Sequence, residues 1–80
     1  TMMSSMQGMK LTGDADADFL LMMIPHHQSA IDMAKDELEQ GDDEGTRALA
    51  QKVIDAQEAE IAEMTALLKA MGVEPPAASN

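Results

Sequence analysis

The chain has 80 residues, enough for one small domain, and 45% of them are apolar although Phe19 is the only aromatic residue. Its formal net charge is −10 with only five Lys and Arg, which sets up repulsion against nucleic-acid phosphates and anionic lipid. No run approaches the roughly 20 apolar residues of a membrane span. We therefore expect neither nucleic-acid binding nor membrane insertion.

The chain contains no cysteine but nine methionines. Disulfides and thiolate metal sites are thereby excluded, and a soft-metal site would use thioether sulfur and imidazole nitrogen. Thioethers remain metal ligands in oxidising compartments where free thiols would pair. We therefore expect a periplasmic or otherwise exported protein from which a signal peptide has been removed.

Residues 1–13 combine methionines with Ser, Gly and Thr and have no sustained period. We predict a flexible, Met-rich leader. Met3, Met6 and Met9 are spaced three residues apart and Met2 directly precedes them, a pattern that resembles the methionine arrays of exported copper proteins. Two interpretations of these methionines stay equally open: they bind metal, or the segment is a remnant of processing.

Two long helices follow the leader. Acidic residues crowd the start of the first, which we expect to run from Asp14 to Gln40. Gly41 supplies a C-terminal cap, and Asp42 and Asp43 offer the next N-cap. The second helix is expected from Asp43 to Met71. A metal-binding helical hairpin is thus predicted over residues 14–72, with a disordered tail at 73–80.

The apolar residues of each helix recur at helical spacing and define its buried side. On the first helix these are Phe19, Leu20, Met23, His27, Ala30, Ile31, Ala34 and Leu38. On the second they are Ala50, Val53, Ile54, Ile61, Met64, Leu68 and Met71. One antiparallel hairpin leaves these faces half covered, so we predict an all-α homodimer that forms a ferritin-like four-helix bundle.

Two adjacent histidines follow a proline in the first helix. They diverge by about 100°, so His27 points into the core while His26 shares a flank with Met22 and Met33. Pro25 lacks an N–H and should bend the helix there. A tight turn near residue 42 places Gln57 opposite His27 and Ile61 opposite Met23, with Glu60 at the edge.

This cluster has two interpretations. In the first, Gln57 and Glu60 hydrogen-bond a core histidine and the methionines are flexible packing. In the second it holds copper, because imidazole with thioether selects copper and favours the cuprous ion. Glu60 then either fixes the tautomer of His27 or binds the cupric ion. The candidate ligands are His26, His27, Met22, Met23, Met33, Met64 and Glu60.

The runs FLLMMIPHHQSAIDMA at residues 19–34 and AQEAEIAEM at 56–64 resemble the domain-of-unknown-function family 305. The resemblance implies ferritin-like helical packing in an exported protein that binds copper and contributes to copper tolerance, since a cyanobacterial periplasmic copper-binding protein belongs to that family. The motif positions that it implies are Met23, His26, His27, Gln28, Met33, Gln57, Glu60 and Met64.

We therefore expect a protein that sequesters or carries copper and is not an enzyme. The alternative is a helical dimerisation or interaction module without a physiological metal. A ferritin-like oxidase is disfavoured, because its di-metal site uses Glu-x-x-His pairs and the sequence contains none.

Overall fold

The computed structural model describes residues 11–76, which form a hairpin of two helices. Helix α1 spans Ala15–Gln40 and helix α2 spans Glu44–Ala70, and the two pack against each other. The all-α hairpin and both helices are confirmed, with ends within one residue of those predicted. The predicted leader, apart from residues 11–13, and residues 77–80 of the predicted tail lie outside the described residues.

Helix α1 begins at a network of carboxylates that accept backbone N–H groups. Asp14 is the N-cap and accepts from the N–H of Asp16 at 3.0 Å. Asp18 accepts from the N–H groups of Thr12 (2.7 Å) and Gly13 (3.1 Å). The backbone hydrogen bond from Thr12 is the main reason that the pKa of Asp18 lies below its ordinary value. The bond from Asp16 satisfies one of the N–H groups that a helix start leaves free, and the bonds to Asp18 fix the backbone just before the helix.

The turn between the helices depends on a glycine for space. The N–H of Gly41 donates to the carbonyl of Glu37 at 2.7 Å, and a Cβ at position 41 would lie only 2.8 Å from that oxygen. Its φ of −79° is open to any residue, so steric room is the reason for glycine here. Arg47 ties the turn down by donating from Nη1 to the carbonyls of Leu38 (2.5 Å) and Gly41 (3.1 Å).

Helix α2 is capped at both ends. Asp43 accepts from the hydroxyl (2.7 Å) and the N–H (2.8 Å) of Thr46, and these two bonds, the hydroxyl's first, lower its pKa. At the other end Gly72 adopts a φ of +75°, which favours glycine, and the N–H of Val73 donates to the carbonyl of Leu68. Val73, predicted as the start of the disordered tail, packs against the core.

The core consists of two clusters along the seam between the helices. The cluster at the open end contains Ala17, Leu20, Leu21, Ile24, Met64 and Leu68. The cluster nearer the turn contains Ile31, Ala34, Ala50 and Ile54. Ile61 packs against both. In the sequence of α1, His27 lies between the two clusters and is the one buried polar residue of the described chain.

Two residues predicted in the core are exposed instead. Phe19 is 57% exposed and Met71 is 42% exposed, while Leu21 and Ile24 take the buried positions on α1. The prediction centred the buried arc of α1 too far towards Phe19. Each helix has a single neighbour in this hairpin, so apolar residues that flank the seam remain in solvent. Neither described helix has an apolar stretch long enough to cross a membrane.

Replacing Asp43 by Ala should lower the midpoint of thermal unfolding at pH 7, because the N-cap of α2 is lost. The lowered pKa of Asp43 means that its ionised form is favoured by folding. Its contribution is therefore present above the ordinary value of 3.8 and lost as the pH falls below it. Thermal unfolding followed by circular dichroism should show the gap between wild type and D43A narrowing in acid.

The matched control is D42A, which removes the same charge one residue earlier, outside the cap. It should leave the midpoint nearly unchanged. Equal losses in D42A and D43A would mean that net charge, not the cap, stabilises this end of α2.

Candidate metal centre

His27 is held at the middle of the seam by hydrogen bonds to both ring nitrogens. Its Nδ1 lies 3.0 Å from the carbonyl oxygen of Met23, one turn earlier in α1, and its Nε2 lies 2.5 Å from Oε1 of Glu60 on α2. A carbonyl oxygen only accepts, so Nδ1 carries a hydrogen. In the neutral ring the lone pair is therefore on Nε2 and points at Glu60.

The contact between Nε2 and Glu60 is the place where a cation could enter. A metal ion that entered between these two atoms would find an imidazole nitrogen and a carboxylate oxygen, both of which are metal ligands. Metal bonds of about 2.0–2.2 Å to both atoms need a wider separation than 2.5 Å. The Glu60 side chain is 54% exposed, so solvent gives it room to move.

His26 occupies a different environment. Its side chain is exposed, and its ring centroid lies 6.4 Å from that of His27 with 59° between the ring planes. The prediction that His27 points into the core is confirmed. The two imidazoles thus serve different positions, one fixed in the seam and one open to solvent on the flank of α1.

The predicted methionine ligands are divided between three surroundings. Met64 is buried in the cluster at the open end, and Met23 is half-buried and packs against that same cluster. Met22 is half-buried on the flank. Met33 is 70% exposed. Met23 and Met64 therefore belong to the core at the open end of the hairpin, whereas Met33 faces solvent.

Gln57 and Glu60 were both predicted to hydrogen-bond His27. The contact of Glu60 with the ring is confirmed, whereas Gln57 makes no hydrogen bond to it. The side-chain oxygen Oε1 of Gln57 is buried and has no hydrogen-bond partner among the described residues. Glu60 and Gln57 lie within one turn of each other, and the ring reaches the carboxylate.

An open groove of about 450 Å³ begins beside Gln57 and runs towards the turn. Helix α1 contributes Met33 to its wall, and α2 contributes Leu49 and Val53. The remaining lining residues are Ala30, Ala34, Glu37, Thr46 and Ala50. The groove is therefore mainly apolar, with the unpartnered Gln57 oxygen close to one end.

The carbonyl of Met23 was not among the predicted site groups. It fixes the ring of His27 although it belongs to the backbone of a residue considered only for its sulfur. A histidine four residues after any helical residue can bond back to that carbonyl, so the spacing was available in the sequence. The identity of residue 23 did not indicate this contact, because every residue type has the same backbone carbonyl.

Replacing His27 by Ala should lower the free energy of unfolding by about 2 kcal/mol, because a buried ring is lost from the seam. H26A, which truncates the exposed neighbour, should change it by less than about 0.5 kcal/mol. Urea denaturation followed by circular dichroism measures both. Comparable losses in the two variants would contradict the assignment of His27 alone to the seam.

The sequence of this chain matches a known protein family. Its sequence matches, over residues 1–68, a family described as "Domain of unknown function (DUF305)". No similar curated protein and no similar solved structure was found. The match covers well over half of the sequence and includes α1 and most of α2. The chain therefore belongs to the DUF305 family.

Proposed function

We propose that this chain is an exported, non-enzymatic copper-binding protein that sequesters or carries copper through histidine and methionine side chains. In this role it contributes to copper homeostasis or tolerance. The observation that carries the proposal is the arrangement of His27, whose Nδ1 is fixed by a backbone carbonyl while Nε2 faces a half-exposed carboxylate. Metal-binding histidines are oriented in this way by a hydrogen bond from the nitrogen that does not bind the metal.

The choice of copper rests on the kinds of donor near His27. Thioethers of Met23 and Met64 belong to the adjacent core cluster, and Met22 lies on the same side of α1 as His26. Within residues 11–76 no three His, Cys, Asp or Glu side chains lie close enough together to hold an ion. A site in one hairpin would then need methionine sulfur, and imidazole with thioether favours the cuprous ion. Glu60 would serve the harder cupric ion.

The proposal includes a homodimer. A single hairpin leaves large apolar side chains in solvent, among them Phe19, Met33, Leu49, Leu67 and Met71, each more than 40% exposed. Two hairpins that cover these residues would form a ferritin-like four-helix bundle. Small chains of this length commonly gain the stability they lack from such association.

The same exposed residues favour a second candidate function, that of an interaction module without a physiological metal. In that case the pair of His27 and Glu60 is a satisfied polar contact in the seam, and the hairpin dimerises or docks onto a partner helix. The two functions differ in one measurable property. The interaction module gains no thermal stability from copper, whereas a copper-binding protein does.

Titration of the metal-free protein with cuprous ion against a competing chelator should show tight uptake that zinc does not match. Replacing both histidines, as H26A with H27Q, should lower the cuprous affinity at least tenfold, since both imidazole ligands are removed. Gln at position 27 keeps a polar side chain in the seam and limits the loss of stability.

The control is D32A, which removes an exposed carboxylate on another side of α1 and should leave the affinity unchanged. Circular dichroism confirms that each variant keeps its helices. Undiminished copper binding in the double variant would refute the proposed ligands, and no competition by the wild type would leave the interaction module as the better account.

A further inference from the structure

The exposed apolar residues form two patches on one side of the hairpin. We name as patch A the side chains of Phe19, Leu67 and Met71, and as patch B those of Met33, Leu49 and the half-buried Val53. Each patch contains residues of both helices and lines a groove. At 3.6 residues per turn, Phe19 and Met33 lie on nearly the same side of α1, and Leu49 and Leu67 lie on the same side of α2. The two patches therefore share a broad face.

The two patches are placed symmetrically about His26. Phe19 precedes it by seven residues and Met33 follows it by seven, which corresponds to about 10.5 Å in each direction along the helix. On α2, the midpoint between Leu49 and Leu67 is position 58, between Gln57 and Glu60. The polar cluster thus lies halfway between two apolar ends.

A face with this pattern can pair with itself. In a two-fold symmetric dimer the same surface of both copies meets, and every residue near the axis meets its own counterpart. If the second copy runs antiparallel, its patch A covers patch B of the first, and its patch B covers patch A. The centre of the pattern then lies on the axis, where the exposed side chain of His26 meets its copy.

We propose that a second copy of this chain docks antiparallel on this face about a two-fold axis at His26, so that two His26 side chains form one inter-subunit copper site. The metal part of this inference rests on the proposed function. The docked second copy would supply the second imidazole that His26 lacks on its own side of one hairpin. Two imidazoles facing each other across an axis can bind one ion between them.

The dimensions of the hairpin suit this occupant. Its extents are 44 × 25 × 18 Å, so a face along the two longer axes exceeds the roughly 800 Å² per partner of a standard interface. A partner of unrelated sequence would not require patches at equal distances from one residue. Each chain also carries a formal charge of −10, and a cation at the axis would offset part of the repulsion between copies.

The absence of cysteine permits a direct test by cross-linking. The variant H26C should form a disulfide-linked dimer in oxidised glutathione, because residues on a two-fold axis bring their Cβ atoms within bonding reach. D32C places a cysteine at an exposed position about 120° around α1 and should remain largely monomeric in denaturing gels. Cross-linking of H26C no faster than that of D32C would overturn the proposed axis.

Analytical ultracentrifugation with cuprous ion tests the metal part. The ion should raise the dimer fraction of the wild type at fixed protein concentration and should not raise that of H26A. The wild type should also bind one more ion per two chains than H26A does, in addition to any ion held at His27. Copper uptake that leaves the dimer fraction of the wild type unchanged would overturn this inference and leave the proposed function standing. Cross-linking of H26C together with no copper uptake by the wild type would overturn the proposed function and the inter-subunit site, while confirming the docking.

Discussion

The structure depends on one constraint, which is that two helices share a single seam. All the buried residues of the described chain lie along that seam, in two apolar clusters with the imidazole of His27 between their positions on α1. The apolar residues that flank the seam have no neighbour to cover them. Stability from the core and exposure of an apolar face therefore have the same origin, because a hairpin offers only one contact surface per helix.

Placing a polar ring in such a narrow core requires that each of its nitrogens find a partner. The ring takes one partner from its own helix, the carbonyl of Met23, and one from the other helix, the carboxylate of Glu60. The first partner is backbone and holds the ring firmly. The second is a half-exposed side chain that can leave. A backbone partner on Nδ1 orients the ring, and under the proposed function this would leave Nε2 as the nitrogen that binds the metal.

Much of the fold could be predicted from the sequence because its signals are local. Gly41, Asp43 and Gly72 mark helix ends through steric room, capping and positive φ, and each takes the predicted place. The sequence predicted both Gln57 and Glu60 as partners of His27, and only the packing shows that Glu60 is the one that reaches the ring. The predicted buried side of α1 was also wrong by part of a helical turn. Phe19 is as apolar as its buried neighbours, and only the packing decides which of them is covered.

Ile61 gives the hairpin a further property, because it packs against both core clusters and is adjacent to Glu60 in the chain. Neither cluster can separate from the seam without disturbing this side chain. The two ends of the hairpin should therefore open as one cooperative unit, and their slowest backbone amides should exchange with solvent at a common free energy. A substitution at Glu60 that disturbs Ile61 should therefore change the exchange free energy of amides along the whole seam, from the start of α1 to the turn at Gly41.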